Sequence, residues 1–110
     1  MRVEALIRIK GAQAPSSEEV VQKSRFAVMQ YATNLSLVKV VLEAAEEDAG
    51  LVYWAMLRAD FLVGGRLIIE ARGETVSSAL SRGLKRLQVG LENEMRRRWF
   101  LVEPPQKSMP

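Results

Sequence analysis

Apolar and charged residues alternate at the start of the chain. Between Val3 and Lys10 the apolar side chains fall on every second position, with Leu6 as the exception. A period of two predicts a strand with one buried face. The segment 11–15 contains a glycine and a proline, and these residues end the strand.

A helix is predicted next. Ser16 stands three positions before Glu19, which is the spacing of an N-terminal capping box. Apolar residues then recur at helical spacing to about Ala32 and share one face. Phe26 and Met29 lie off that face, so the apolar side of the helix is wider than one stripe.

Three more strands are predicted, at Leu37–Glu43, Leu51–Val63 and Arg66–Arg72. The acidic segment 46–48 separates the first two of these strands, and a charged run of this kind ordinarily solvates a turn. Gly64-Gly65 separates the last two, because paired glycines accept the positive φ angles of a tight hairpin.

The third and fourth strands have two different faces. One face is apolar and predicts core positions: Tyr53, Ala55, Leu57, Ala59, Phe61, Leu67, Ile69 and Ala71. The opposite face mixes charges with an apolar group, to which the first strand adds a leucine: Leu6, Val52, Trp54, Met56 and Ile68. An uncovered sheet face is normally polar, so an apolar patch there usually marks a partner. Trp54, Met56 and Ile68 are therefore the candidate partner-binding residues.

Three explanations of this patch stay open. Two copies of the chain could pack sheet to sheet. Alternatively, the apolar segment Trp99–Val102 could fold back over the patch. A register slip by one residue would exchange the two faces and bury the patch.

The last predicted helix follows Gly73, with Thr75 as its N-cap, and runs to about Arg98. The order of elements is β-α-β-β-β-α. We predict an α+β domain over 1–102, in which a four-stranded sheet carries both helices on one face, followed by a flexible polar tail at 103–110.

The last helix also holds the positive charge of the chain. The sequence has 16 basic and 13 acidic residues, a net charge of +3. Between positions 82 and 98 there are six basic and two acidic residues, a net of +4, which leaves −1 for the rest. Arg82, Lys85 and Arg86 share one side of the helix, and Arg96 and Arg97 continue it. This side is either a binding surface for a polyanion or the ordinary solvated face of an amphipathic helix.

Composition argues against catalysis. The chain has no histidine and no cysteine, so it lacks the commonest general base, the commonest metal ligand and any thiol chemistry. The carboxylates at 46–48 imply no pocket, and Ser77 and Ser78 have no histidine partner. We expect no enzyme activity, cofactor or metal. With no signal-peptide or transmembrane run, we expect a soluble cytoplasmic protein without a membrane partner.

The strongest motif is the hairpin that leads into the last helix. It reads VGGRLIIEARG over Val63–Gly73 and continues as TVSSAL over Thr75–Leu80. An apolar residue before two glycines, an Ala-x-Gly step and a small-residue helix start resemble the ribosome hibernation factors, also known as ribosome-associated inhibitors or sigma-modulation proteins. Leu37–Leu42 is similar to the second strand of that family.

This resemblance implies a fold akin to a double-stranded-RNA-binding domain. It also implies a factor that occupies the messenger and transfer RNA channel of the small ribosomal subunit and silences translation in stressed or slow-growing cells. The RNA-binding residues that it suggests are Lys23, Arg25, Arg82, Lys85 and Arg86, and the same basic side of the helix adds Arg96 and Arg97.

Two alternatives stay open beside this prediction. The run at 96–98 also complements the helix dipole, and this gives it a structural explanation. For the whole chain, the rival is a homodimeric protein-interaction module that binds no nucleic acid and associates through the outer face of the sheet.

Overall fold

The computed structural model describes residues 1–11 and 14–102, with side chains as far as Arg98. The elements, in chain order, are β1 (Arg2–Arg8), α1 (Ser17–Val28), a 3₁₀ segment (Met29–Asn34), β2 (Leu35–Glu47), β3 (Gly50–Phe61), β4 (Arg66–Gly73) and α2 (Val76–Val102). The predicted order β-α-β-β-β-α is therefore confirmed. The polar tail predicted at 103–110 lies outside the described residues.

The four strands form one mixed sheet in the order β1-β2-β3-β4. β1 pairs parallel to β2, while β2, β3 and β4 are antiparallel neighbours. A parallel pair requires a crossover, and α1 supplies it. Both helices pack on the same face of the sheet, where they bury a continuous apolar core against alternate residues of the strands. The predicted α+β architecture is confirmed, and the predicted core face of β3 is the buried one.

The cap predicted for α1 is present. The backbone N–H of Glu19 donates to Oγ of Ser16 at 3.1 Å, which satisfies one of the free N–H groups at the helix start. The α-helix ends at Val28 rather than near Ala32, and the 3₁₀ segment replaces its last turn. Phe26 and Met29 are both exposed, so they lie off the buried face, and the wider apolar side expected from the sequence is not buried.

β2 is longer than the sequence pattern predicts. The predicted start at Leu37 is wrong, because Leu35 already belongs to the strand and is buried in the core. The 3₁₀ segment makes the turn instead. At the other end, Glu46 and Glu47 are paired with β3, so only Asp48 and Ala49 form the acidic turn.

The connection between β3 and β4 is wider than a two-residue hairpin. Gly64 and Gly65 have φ angles of 101° and 90°, as the glycine pair predicts. Leu62 and Val63, however, leave the strand and are exposed. The reason lies outside the hairpin, since the backbone N–H of Leu62 donates to the carbonyl of Asn34 at 2.9 Å and not to β4.

Small residues set the distance between α2 and the sheet. A Cβ atom on Gly73 would stand 2.5 Å from the backbone nitrogen of Ala79, so the Ala-x-Gly step lets the helix start directly against the strand. A Cβ on Gly83 would meet Leu57 at 2.6 Å, and one on Gly90 would meet Leu67 at 2.7 Å. The absence of Cβ atoms at these glycines therefore lets α2 lie close to β3 and β4.

Thr75 caps α2 as predicted, because the N–H of Ser78 donates to its Oγ1 at 3.0 Å. The helix then runs through Val102, four residues beyond the predicted end at Arg98. The idea that Trp99–Val102 folds back over the outer face of the sheet is therefore wrong. These residues continue a helix that packs on the other face.

Candidate nucleic-acid interface

Five basic residues of α2 point to the same side of the helix. At about 100° per residue, Arg82, Lys85, Arg86, Arg96 and Arg97 fall within a sector of roughly 120°. All five are exposed. We call them the basic face. It extends about 22 Å along the axis at 1.5 Å per residue, and Val89 is exposed near its middle.

Two arginines of the basic face are bound to the edge of the sheet. Nη1 of Arg82 donates to the carbonyl of Arg72 at 2.9 Å, and Nη1 of Arg86 donates to the carbonyl of Glu70 at 2.7 Å. These carbonyls belong to β4, an edge strand, and covering them hinders pairing with another chain. A neutral carbonyl leaves the guanidinium charge uncompensated, so both arginines keep donors and charge for an anion.

Lys85 lies between them in sequence and is exposed. It makes no hydrogen bond or ion pair within the part of the chain that the structure describes. Its ammonium group is thus the least committed charge of the basic face. Together, Arg82, Lys85 and Arg86 form a cluster of three positive charges without an acidic neighbour on the helix, which we call the N-terminal cluster.

The distal end of the basic face is different, because acidic residues neutralise it. Arg96 forms an ion pair with Glu92 at 2.8 Å, and Arg97 forms one with Glu94. The hydrogen bond from Arg97 lowers the pKa of Glu94 below its ordinary value of 4.5, and the charges of Arg97 and Arg98 act in the same direction. The ion pairs are local, three or four residues apart, and they reduce the field that a polyanion would meet.

Arg98 has a structural position that the sequence does not reveal. Its guanidinium carbon lies 4.1 Å from the centroid of the Phe61 ring, and Nη2 donates to the carbonyl of Gly64 at 3.1 Å. The side chain is half-buried. It joins the far end of α2 to the β3–β4 connection. The only signal in the sequence was its place in an arginine run, and that run gave no hint of its partners.

The two candidates on α1 do not join the basic face. Lys23 is exposed, lies 3.9 Å from Glu19, and lines a cleft beside the first turn of α2 together with Ser77. Arg25 is two residues further, about 200° around the helix, so it projects from the opposite flank of α1. The structure brings together the five residues of α2 and leaves Lys23 and Arg25 apart from them and from each other.

The outer face of the sheet carries the three candidate partner-binding residues. Trp54 and Met56 are half-buried, and Ile68 is 61% exposed. All three point away from the helices, as predicted, and the register that places them there excludes the slipped alternative. Leu6, Val41 and Met56 stand side by side on three neighbouring strands and form an apolar row across the sheet.

Ion pairs surround this row and balance the charge of the outer face. They are Arg2–Glu4, Arg8–Glu43, Arg58–Asp60, Arg66–Asp60 and Arg72–Glu47. The pair between Arg72 on β4 and Glu47 on β2 spans β3 near Val52, which is buried although it points away from the core cluster. The outer face therefore offers a polyanion little net charge.

A further cavity of about 730 Å³ lies between the 3₁₀ segment, the β3–β4 connection and the distal part of α2. Tyr31, Phe61, Leu62 and Met95 give it a mostly apolar lining, and Arg96 stands at its rim. Glu92, the ion-pair partner of Arg96, also lines the cavity, so the cavity adjoins the ion-paired end of the basic face.

The hydroxyl of Ser78, considered for catalysis in the sequence, has a structural role. Ser78 is engaged in the cap of α2, where its hydroxyl donates to the carbonyl of Thr75 at 3.0 Å. No group of three or more carboxylates suited to a metal ion occurs in residues 1–11 and 14–102. Within the same residues, no helix is both long enough and apolar enough to span a membrane.

The mixed four-stranded sheet with both helices on one face is an α+β fold that two solved structures share. The chain is similar to a ribosomal subunit interface protein from Coxiella burnetii, with a TM-score of 0.67 and 10% identity over 87% of this chain and 99% of that one. It is also similar to the N-terminal domain of Protein Y from Thermus thermophilus, with a TM-score of 0.66 and 22% identity over 84% of this chain and 98% of that one. At these identities the likeness establishes the fold, and in that respect the predicted resemblance is confirmed.

No protein-family model matches the sequence, and the search of curated proteins gives no match. The function therefore has to be argued from the surface of the molecule.

Proposed function

We propose that this protein binds the small ribosomal subunit and silences translation by occupying it, without catalytic turnover. The observation that carries the proposal is the N-terminal cluster of α2, in which three exposed positive charges have no acidic partner on the helix. The fold supports it, because one of the two structural neighbours is named as a ribosomal subunit interface protein.

The proposed contact is electrostatic and depends on shape. Basic side chains on a rigid helix neutralise phosphates and release counterions. A-form RNA is recognised mainly through its backbone and its shape, since its deep major groove is closed to side chains. The basic face has no aromatic residue on which an unpaired base could stack. It therefore suits structured ribosomal RNA better than a single strand.

Co-sedimentation with purified small ribosomal subunits tests the proposal. If about four of the basic side chains contact phosphates, the logarithm of the binding constant falls with the logarithm of salt concentration with a slope of roughly −4. Affinity should then drop by about two orders of magnitude between 50 and 200 mM salt. The triple variant Arg82→Glu, Lys85→Glu, Arg86→Glu should not bind.

The controls separate RNA contact from folding. Arg82 and Arg86 also bind β4, so the triple variant Arg82→Gln, Lys85→Gln, Arg86→Gln is tested beside it, because glutamine keeps an N–H donor but not the charge. The single variant Lys85→Glu should also weaken binding, and Lys10→Glu, at an exposed site outside α2, is its matched charge-reversal control. Binding that is independent of salt, or that survives both triple variants, contradicts the proposal.

A second candidate function is self-association through the outer face of the sheet. The observation that favours it is the apolar row Leu6–Val41–Met56, which no other element of the described chain covers. Such a module would need no nucleic acid. Sedimentation of the isolated protein tests it, and a strict monomer at high concentration would contradict it.

A further inference from the structure

We infer that two copies of this chain pack outer face to outer face about a twofold axis that crosses the strands along the row Leu6–Val41–Met56. This arrangement rests on the second candidate function and is independent of RNA binding. It follows from the order of charges on the outer face, which the strand register fixes.

The register defines rows across the sheet. The central row is Leu6, Val41, Met56 and Glu70, the row on one side is Glu4, Lys39, Arg58 and Ile68, and the row on the other side is Arg8, Glu43, Trp54 and Arg72. A twofold axis along the central row places each residue of one flanking row over the same strand's residue in the other flanking row of the second copy.

On three of the four strands the facing residues are complementary, whereas on β4 Ile68 faces Arg72. On β1, Glu4 faces Arg8 of the second copy. On β2, Lys39 faces Glu43. On β3, the guanidinium group of Arg58 faces the indole ring of Trp54, a favourable cation–π arrangement. Every one of these contacts occurs twice, because a twofold interface is self-complementary.

The central row supplies the apolar part of the interface. On the axis, Leu6, Val41 and Met56 each meet their own counterpart, and Leu6 is 40% exposed in the single chain. Glu70 on the edge strand β4 also meets its own counterpart, and this like-charge contact weakens the interface at its margin. Moving the axis by half a row would place Leu6 against Arg8 and Val41 against Glu43, although Met56 would then face Trp54 and Glu70 would face Arg72. The apolar contacts of Leu6 and Val41 therefore favour the central row.

Lys39 and the overall charge balance of the outer face also favour this arrangement. Lys39 has no ion pair within the described part of its own chain, and the second copy supplies Glu43 for it. The outer face carries six basic residues, Arg2, Arg8, Lys39, Arg58, Arg66 and Arg72, and five acidic ones, Glu4, Glu43, Glu47, Asp60 and Glu70. Two such faces can approach without a large net repulsion, whereas two copies of the basic face cannot.

The size of the face predicts a weak dimer. Four strands spaced about 4.8 Å apart and about nine residues long cover roughly 19 by 30 Å. Two copies would bury on the order of 1,000 Å², the lower limit for a specific interface. Packed sheets align within about 30° of each other, which keeps the facing rows in register near the axis. Dissociation constants in the micromolar range are expected.

The test uses charge reversal on β2. In the Lys39→Glu variant, the new carboxylate at position 39 faces the carboxylate of Glu43 in the second copy. In the Glu43→Lys variant, the new ammonium group at position 43 faces the ammonium group of Lys39 in the second copy. Both variants therefore place like charges opposite each other. Each single variant should raise the dissociation constant of the homodimer by about tenfold or more. An equimolar mixture of the two variants should associate, because in the mixed pair both symmetry-related contacts between positions 39 and 43 join a carboxylate to an ammonium group.

Sedimentation velocity measures the oligomeric state of the wild type, each variant and the mixture. Protein concentrations from about 1 µM to 1 mM bracket the expected dissociation constant. Lys85→Glu on α2 is the matched control, since it makes the same charge change on the opposite side of the molecule and should leave association unchanged. Thermal unfolding of each variant checks the fold.

The outcomes are distinct. A wild-type protein that stays monomeric at 1 mM overturns both self-association and the arrangement, and leaves the outer face to another partner. If the wild-type protein forms a dimer but the mixture of Lys39→Glu and Glu43→Lys does not associate, only the proposed arrangement is overturned. Neither result bears on binding to ribosomal subunits, which is measured separately.

Discussion

The two ends of α2 carry the same kinds of residue and use them differently. In the N-terminal cluster, Arg82 and Arg86 contact neutral carbonyls of β4, and Lys85 contacts nothing in the described chain. In the run at 96–98, every arginine has a glutamate within reach. The number of basic residues is equal at both ends, but the charge available to a partner is not. A count of basic residues therefore overstates the charge that the face of a helix offers to a partner.

The largest effect is expected from a substitution of Arg98, and it concerns the stability of the fold. Arg98→Ala removes the contact with the Phe61 ring and the hydrogen bond to Gly64, and we expect the free energy of unfolding to fall by about 1.5 kcal/mol in urea titrations. Arg97→Ala is the matched control, because this neighbour is exposed and its loss should cost well under 1 kcal/mol. Equal effects of the two substitutions would show that Arg98 is an ordinary surface residue.

A smaller effect is expected from the exposed, ion-paired arginines. Arg96→Gln with Arg97→Gln should weaken binding to small subunits by only about threefold, since Glu92 and Glu94 already offset part of their charge. The converse variant, Glu92→Gln with Glu94→Gln, should strengthen binding. A loss as great as that of the N-terminal cluster would mean that both ends of α2 contact RNA equally.

The smallest effect is expected from Glu94 and concerns pH. Its pKa is lowered in the folded protein, so the ionised form stabilises the fold above the ordinary pKa of 4.5, and this stability is lost as the pH falls through the lower folded value. Because Arg97, the principal partner, is largely solvated, we expect about 0.5 kcal/mol. Glu94→Gln should remove this part of the pH dependence of thermal unfolding below pH 4.5. An unchanged profile would show that the ion pairs do not stabilise the fold.

Much of the fold could be predicted because its signals are local. Alternation assigned the faces of β3 correctly, and Ser16 and Thr75 were recognised as caps from their neighbours alone. Leu35 and Leu62 were misassigned for the opposite reason. Whether such a residue enters a strand depends on where Asn34 lies relative to β3, and no local pattern contains that distance.

The basic face was found from spacing, but the division within it was not. Helical geometry places Arg82 and Arg96 on one side regardless of their neighbours. The partner that distinguishes Arg82 is the carbonyl of Arg72 on β4, which lies 10 residues earlier in the chain. For Arg98, the carbonyl of Gly64 is 34 residues away. Contacts of this kind appear only when α2 is placed on the sheet.

The bonds from Arg82 and Arg86 to the edge of β4 have a thermodynamic consequence. A free arginine side chain loses up to about 2 kcal/mol of rotamer entropy when it is immobilised. In Arg82 and Arg86, part of this entropy is already lost when the protein folds, because one nitrogen of each guanidinium group donates to a carbonyl of β4. The other donors of each group remain available. An incoming phosphate would therefore meet a preorganised receptor, and the binding enthalpy would be opposed by a smaller entropic term than solvent-mobile side chains impose.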